Sequence, residues 1–234
     1  MAKRLVIQRL VNLTALRSRL VDLQKAIKTP IKESMSFMNK SLHLESVKLS
    51  KNSMQAIDSD LKQINLLLNS IVKDDKHLYR LTQIITSVPG VGIVTALHII
   101  ITTNEFIDIH NPRQFASYAG VAPFPQESGT IQRRRKISSL ANKKLKSLLH
   151  ICVLMSKKTI PEITAYYIRK TQVEGKAKMS VINAIRNKII LRIFSCVKQD
   201  RLYQKDFSHE FETQLVLKIS KPCMFFHVSY MCFN

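Results

Sequence analysis

Apolar side chains recur every three or four residues over much of the first 75 positions, and this spacing favours helices that pack along one face. The first set lies before Pro30 and comprises Leu13, Leu16, Leu20, Leu23 and Ile27. The second set follows a polar stretch and comprises Met54, Ile57, Leu61, Ile64, Leu68 and Ile71. The pattern is typical of coiled-coil seams. It predicts two amphipathic helices that pack on each other as an antiparallel hairpin, on the same helix of a second subunit, or within an ordinary bundle.

A compact turn is indicated in the segment SVPGVGIVTALHIII, from Ser87 to Ile101. Gly90 and Gly92 permit a tight connection between two apolar helices, as in a helix-hairpin-helix, and backbone N–H groups at the start of the second helix can then meet a phosphate. The simpler interpretation is that Pro89 and Gly90 end one helix and Gly92 begins the next.

Further helices are indicated between Asn111 and Gly120, from Ser138 to Lys158, from near Pro161, and from about Ala177 to Lys198. We therefore predict an all-α fold, in which a long helical hairpin or coiled coil precedes a compact helical domain with a helix-hairpin-helix-like turn. The predicted boundaries are 1–77 for the helical linker, 78–203 for the compact domain and 204–234 for a tail of unassigned role.

The charge of the chain points to a polyanionic partner. The chain carries 37 Lys and Arg against 16 Asp and Glu, a formal charge of +21, and between Asn111 and Tyr203 the count is 19 against 4. Nucleic acid is the expected partner, although a composition rich in Lys, Ile and Asn also allows the charge to be compositional drift. The four cysteines form no CxxC pair, which predicts no metal site. No apolar run is long enough for a membrane span, so we expect a cytoplasmic protein without membrane contact.

Ser128 stands in the segment ASYAGVAPFPQESG, which is predicted to be a loop, just before the basic run IQRRRK. A serine hydroxyl next to guanidinium groups could attack a phosphodiester whose developing charge those groups stabilise. A Ser-Gly pair in a loop is most often simply a turn. Spacing alone leaves both interpretations open.

The motifs VPGVGIVTA, ASYAGVAPFPQESG and ANKKLKSLLH, in this order and with basic residues between the last two, resemble the C-terminal domain of transposases of insertion sequence 110 and its relatives 116 and 902. The resemblance spans roughly Leu78 to Tyr203. The preceding helices resemble the coiled-coil linker of that family, and the tail after Phe207 lies outside it. Ala141 departs from the glycine that is usual in the family.

The resemblance implies roles for individual residues. Ser128 matches the proposed nucleophile of the family, which joins covalently to a DNA 5′ phosphate, and Gly120, Pro123 and Gly129 match the loop around it. The candidate residues for contacting DNA or RNA are Gly90, Gly92, Arg133, Arg134, Arg135, Lys136, Lys143 and Lys144.

The resemblance also implies what other parts of such a transposase supply. Family members resemble Holliday-junction resolvases in an N-terminal domain whose four carboxylates bind Mg²⁺, and this sequence starts at the coiled coil. We therefore expect no cofactor in this chain, Mg²⁺ only together with that carboxylate domain, and an N-terminally truncated copy that binds DNA but is catalytically incomplete alone. Expected partners are DNA, a structured guide (bridge) RNA, and further copies of the chain joined as a dimer or tetramer through the coiled coil. The resemblance also implies a nucleoid-associated protein of a prokaryotic cell.

The sequence thus favours a serine-nucleophile transposase that acts in DNA transposition and recombination. Two alternatives remain: a basic, non-catalytic nucleic-acid-binding helical module, and a helical oligomerisation protein.

Overall fold

The computed structural model describes residues 3–122 and 140–204, together with the backbone of two strands at 124–128 and 131–136. Pro123, Gly129 and the tail from residue 205 lie outside the described residues. The helices are α1 (Leu5–Ser34), α2 (Lys40–Asp74), α3 (Lys76–Ser87), α4 (Ile93–Thr103), α5 (Pro112–Tyr118), α6 (Lys143–Thr159), α7 (Pro161–Ile168) and α8 (Lys178–Lys198), with a π-helical turn at Arg169–Val173 after α7. The strands are β1 (Phe124–Ser128) and β2 (Ile131–Lys136), which form one antiparallel hairpin. The all-α class is confirmed, and this hairpin is an addition to it.

Helices α1 and α2 pair with each other as an antiparallel hairpin. Polar side chains join them along their length: Arg17 Nε donates to Asn65 Oδ1 at 2.8 Å, and Gln24 bonds to Asp58. At the far end Ser34 Oγ lies 3.1 Å from His43 Nδ1. The periodicity left several packing partners open for α1. In the described chain α1 packs on α2 of the same chain.

The predicted seam is right on α2 and only partly right on α1, where Leu13, Leu20 and Ile27 are partly buried. Ile64, Leu68 and Ile71 are buried on α2, as the spacing indicates, whereas Leu16 and Leu23 of α1 are 42% and 54% exposed. The buried positions of α1 are instead Ile7, Leu10, Thr14 and Ser34. Arg17 and Gln24, each one residue after an exposed leucine, bond to α2 instead of Leu16 and Leu23. The interface therefore follows only some of the predicted leucines.

The compact helical part encloses one apolar core. The largest buried side chains of α3 to α8 are Leu78, Ile84, Ile85, Leu97, Ile99, Ile100, Phe115, Leu145, Leu149 and Ile185. Phe194 of α8 packs edge-on against Phe106, with ring centroids 5.0 Å apart, and lies 5.2 Å from Phe115. Residues from Met1 to Tyr203 form a single compact unit. None of the helices in the described ranges is both long and apolar enough to cross a membrane.

A buried carboxylate ties the start of α1 to the end of α4. The Glu105 side chain is only 3% exposed and accepts two hydrogen bonds from the Arg4 guanidinium, which also donates to Asp75 at 2.9 Å. Asn104, Glu105 and Phe106 all have positive φ angles of 50° to 65°, which non-glycine residues seldom adopt. This connection fixes α1 beside α4.

Candidate nucleic-acid interface

The turn between α3 and α4 is fastened to α6 and requires glycine at one position. Gly90 has φ +87°, and a Cβ atom there would lie 2.1 Å from Ser156 Oγ and 2.7 Å from the Cys152 carbonyl oxygen. The Ser156 hydroxyl donates to the Pro89 carbonyl oxygen at 2.7 Å. The close approach of the turn to α6 therefore depends on the missing side chain of Gly90.

Helix α4 begins directly after this turn with its first N–H groups uncapped. Gly92 is the N-cap residue, no side chain caps the helix, and the space that a Cβ of Gly92 would occupy is open. The first N–H groups of a helix have no partner within the helix and carry its positive dipole end. This end of α4 can thus accept an anion from the open side.

A groove of about 630 Å³ lies in front of this turn and is bounded by α1, α4 and α6. We call it the cationic groove, because Arg17 and Lys25 line it from α1, Lys144 from α6 and His98 from α4. Lys144 Nζ donates to Ser18 Oγ at 2.7 Å and Arg17 bonds to Asn65, both neutral partners. Within the described residues neither Arg17 nor Lys144 forms an ion pair with a carboxylate, and Lys25 has only Asp22, 3.9 Å away.

The electrostatics of the groove favour an anion. The pKa of His98 is lowered by burial first, and then by the positive charges of Lys144 and Arg17. An imidazole in this setting stays neutral near pH 7. The same uncompensated field that disfavours an imidazolium attracts a phosphate.

The groove unites three of the residues that the sequence singled out separately. Gly90, Gly92 and Lys144 all line it, although they come from two distant parts of the chain. Lys143 is the first residue of α6 and is not part of the lining. The sequence reasoning missed Arg17, Lys25 and His98. Arg17 and Lys25 are two turns apart on one side of α1, but only the packing of α1 against α4 reveals which surface they face.

The segment with Ser128 is a β-hairpin in the described backbone, where the sequence indicated a loop. Ser128 ends β1 and pairs with Ile131, and Gln126 pairs with Arg133. Arg133, Arg134, Arg135 and Lys136 all belong to β2, so the serine and the basic run share one hairpin, whose side chains lie outside the described residues. Gly120, just before this segment, has φ +64° and follows the end of α5.

Comparisons with known proteins agree with the motifs. Residues 82–168 match the model of the Transposase IS116/IS110/IS902 family. A pilin gene-inverting protein of Moraxella bovis is 24% identical over 175 residues, which cover 74% of this chain and 52% of that protein. The insertion element IS110 43.6 kDa protein of Streptomyces coelicolor is 23% identical over 65% of this chain and 36% of its own length. The insertion element IS900 42 kDa protein of Mycobacterium paratuberculosis is 24% identical over 64% of this chain and 37% of its own length.

The chain thus spans about half or less of the length of these curated relatives. The family match covers α3 from Thr82, α4, α5, the hairpin, α6 and α7, which are the elements that form the turn and two walls of the groove. Together with the sequence motifs, these matches show that residues 82–168 are similar to the Transposase IS116/IS110/IS902 family.

Proposed function

We propose that this chain is the part of a DNA transposase or site-specific recombinase that grips duplex DNA, with the cationic groove on the phosphate backbone. One observation carries the proposal: the glycine turn, the uncapped start of α4, Arg17 and Lys144 converge on one groove in which neither cation is neutralised by a carboxylate of the described residues. The name of the Moraxella bovis relative, pilin gene-inverting protein, supports DNA rearrangement as the process.

Phosphate is the chemical group that best fits the groove. Guanidinium and ammonium groups neutralise phosphate oxygens, and the N–H groups at a helix start add directed hydrogen bonds. Such contacts position a protein on DNA without reading its sequence. The groove therefore provides affinity for the DNA backbone. The target sequence is recognised by other parts of the assembly or by a guide RNA.

We propose Ser128 as the nucleophile of strand exchange. Its Oγ forms a bond to phosphorus, the bond from phosphorus to the 3′ oxygen breaks, and the hydroxyl proton passes to the departing 3′ oxygen. The product is a 5′-phosphoserine link and a free 3′ hydroxyl. Arg133 to Lys136 of the same hairpin would stabilise the charge on the phosphoryl oxygens. The support is the shared hairpin and the family match across it.

Mg²⁺ would have to be held by another part of the assembly. The described residues contain no group of three or more His, Cys, Asp or Glu side chains that could hold a metal ion, so they do not fit such a site. We propose that carboxylates outside the described residues supply this chemistry.

Self-association through the helical hairpin is part of the proposal, because the hairpin exposes large apolar side chains around its tip. Met35, Phe37 and Leu49 are 73%, 76% and 78% exposed. Exposed large apolar side chains of this kind are typical of protein contacts. A structured RNA is a further proposed partner, which the overall charge supports.

Duplex binding is tested by fluorescence anisotropy across a salt series from about 50 to 200 mM. If Arg17 and Lys144 each neutralise a phosphate, the double variant Arg17→Ala/Lys144→Ala lowers the slope of log affinity against log salt by about 2. The matched control is Lys28→Ala/Lys32→Ala, which removes two charges from α1 away from the groove. Equal slopes for both double variants would refute the proposed phosphate contacts in the groove. If the unaltered chain showed no salt-dependent DNA binding, the alternative of a helical oligomerisation protein would be favoured.

The nucleophile is tested by incubating the chain with labelled donor DNA, Mg²⁺ and a full-length relative, followed by denaturing electrophoresis. A covalent adduct that Ser128→Ala abolishes and the nearby Ser138→Ala retains is the expected result. An adduct that survives Ser128→Ala contradicts the assignment. DNA binding without any covalent adduct would favour the alternative of a non-catalytic nucleic-acid-binding module.

A further inference from the structure

A second basic surface, with two half-buried tyrosine rings, lies on α7, α8 and the residues just after α8, apart from the cationic groove. It surrounds a cavity of about 410 Å³ lined by Tyr166, Arg169, Lys188 and Arg192 with apolar neighbours and Glu162. Lys188 Nζ lies 3.8 Å from the centre of the Tyr166 ring, and the Arg192 guanidinium carbon lies 5.3 Å from that of Tyr203. We call Tyr166, Lys188, Arg192 and Tyr203 the α8 row.

The two cations of the α8 row are available to an anionic ligand. Neither Lys188 nor Arg192 forms an ion pair with a carboxylate among the described residues, whereas Lys170 and Lys176 nearby are bound to Glu174 at 2.6 and 3.1 Å. Lys188 and Arg192 are one turn apart on α8, about 6 Å along the helix axis. Lys188 and Arg192 therefore form a short row of positive charges along α8.

The tyrosines decide which anion fits best. A phosphate on duplex DNA needs cations but no aromatic faces, because the bases of a duplex are stacked within it. An unpaired strand presents bases that stack on aromatic rings while its phosphates bind cations. Tyr166 and Tyr203 are both partly exposed, one at each cation of the row. In the free protein the cations cover these rings by cation–π contact, and a phosphate that draws a cation away uncovers a ring.

We propose that the α8 row binds an unpaired stretch of nucleic-acid strand, with bases stacked on Tyr166 and Tyr203 and phosphates held by Lys188 and Arg192. The site lies on other residues than the cationic groove and takes another form of nucleic acid, so it goes beyond the duplex binding proposed above. Most of the α8 row lies after the segment that matches the family model.

Affinity for labelled oligo-dT and oligo-U strands of about 12 nucleotides, a length within the usual site size for single strands, tests the α8 row against a duplex control. Tyr166→Leu should weaken binding of the unpaired strands about tenfold, and Tyr166→Phe, which keeps the stacking face, should change it less than about twofold. The duplex affinity should stay unchanged in both variants. Tyr79→Leu, which alters a tyrosine on α3 that is 44% exposed, is the matched control.

Lys188→Glu provides a second variant at an exposed side chain, which does not depend on packing of the ring. It should weaken strand binding at least as much as Tyr166→Leu, with unchanged helical circular dichroism. Whichever of oligo-U and oligo-dT binds more tightly identifies the strand: oligo-U indicates RNA and oligo-dT indicates DNA, and either result supports the proposal. The proposal is overturned if neither variant alters strand binding, or if Tyr166→Leu weakens strand and duplex binding equally. Arg17→Ala/Lys144→Ala tests the groove separately.

Discussion

At the scale of single residues, Gly90 shows how one missing side chain sets the position of the turn. Its backbone is left-handed and its Cα faces Ser156 and the carbonyl of Cys152 at distances that exclude a Cβ. Gly92, two residues later, has a φ of −93° and open space beside it. The two glycines therefore differ in function, although the sequence presents them as an equivalent pair.

We expect Gly90→Ala to lower the free energy of unfolding by at least about 2 kcal/mol, because it combines backbone strain with a clash against backbone atoms of α6. Gly92→Ala should lower it by less than about 1 kcal/mol. Urea denaturation of both variants measures the difference. Equal losses for the two variants would contradict this account of the turn.

Arg186 is a buried cation without a carboxylate partner in the described part of the chain. It is 3% exposed, its Nε has no hydrogen-bond partner, and its other nitrogens meet Asn183 and, at 2.7 Å, His150 Nδ1. Burial lowers the pKa of this guanidinium. A buried charge with only neutral partners usually costs stability.

Arg186→Met should accordingly leave the free energy of unfolding unchanged or raise it by up to about 2 kcal/mol, since it removes a desolvated charge and keeps the volume. Arg186→Glu, placed in the same site, should be clearly destabilising. Thermal unfolding followed by circular dichroism compares the two. A loss of more than about 2 kcal/mol in Arg186→Met would show that the guanidinium stabilises the fold.

Asp75 makes stability depend on pH. Burial raises the pKa of its carboxyl, but the Leu78 amide, the Arg4 guanidinium and the His77 amide together lower it by more, so the net pKa lies below the ordinary value. A carboxyl whose pKa is lowered by folding stabilises the protein above its unfolded pKa. That stabilisation is lost as pH falls below about 4.

Asp75→Asn keeps a capping side chain for α3 but removes the charge. The variant should be about 1 kcal/mol less stable than the unaltered chain at pH 7, and the gap should close as pH falls from 5 to 3. Urea unfolding across this range provides the test. A gap that stays constant with pH would mean that the charge of Asp75 is not what stabilises the helix start.

At the scale of elements, the α1–α2 hairpin uses a mixed interface. The apolar period of α2 matches its buried face, but α1 turns Leu10 and Thr14 inward and leaves Leu16 and Leu23 largely exposed. Polar pairs such as Arg17 with Asn65 fill the interface further along. Arg17 therefore both joins the hairpin and faces the cationic groove.

This phase predicts opposite outcomes for two leucines of α1. Leu10→Ala removes a fully buried side chain and should cost about 3 kcal/mol of unfolding free energy. Leu16→Ala, at a site that is 42% exposed, should cost less than about 1 kcal/mol. Chemical denaturation measures both. Similar losses of unfolding free energy in the two variants would mean that Leu16 is packed in the interface, as the leucine spacing indicates.

At the scale of the whole molecule, the charge of +21 both attracts polyanions and opposes compaction by self-repulsion. A ligand that binds the folded state alone stabilises it by mass action, by about 2.7 kcal/mol at a hundredfold excess over its Kd.

Heparin, a polyanion, should thus raise Tm by about 6 °C for a chain of this size. Dextran, an uncharged polymer, should not, and an unchanged Tm in heparin would count against polyanion binding by the folded chain.

Much of this organisation follows from local patterns. The hydrophobic period and the punctuation at Pro89 and Gly90 predict the helices, because each depends on residues within one or two turns. Gly90, Gly92 and Lys144 were identified from the sequence as candidate contact residues, and the fold brings them to one groove.

Which helix faces meet depends on the tertiary packing alone. Arg17 joins Lys144 and His98 because α1 packs beside α4 and α6, and Lys188 lies against Tyr166 because α8 returns alongside α7. Contacts between residues far apart in sequence depend on the packing of whole helices, whose energy is shared among many side chains. No short stretch of the sequence contains that information, so the helices could be predicted but the two basic surfaces could not.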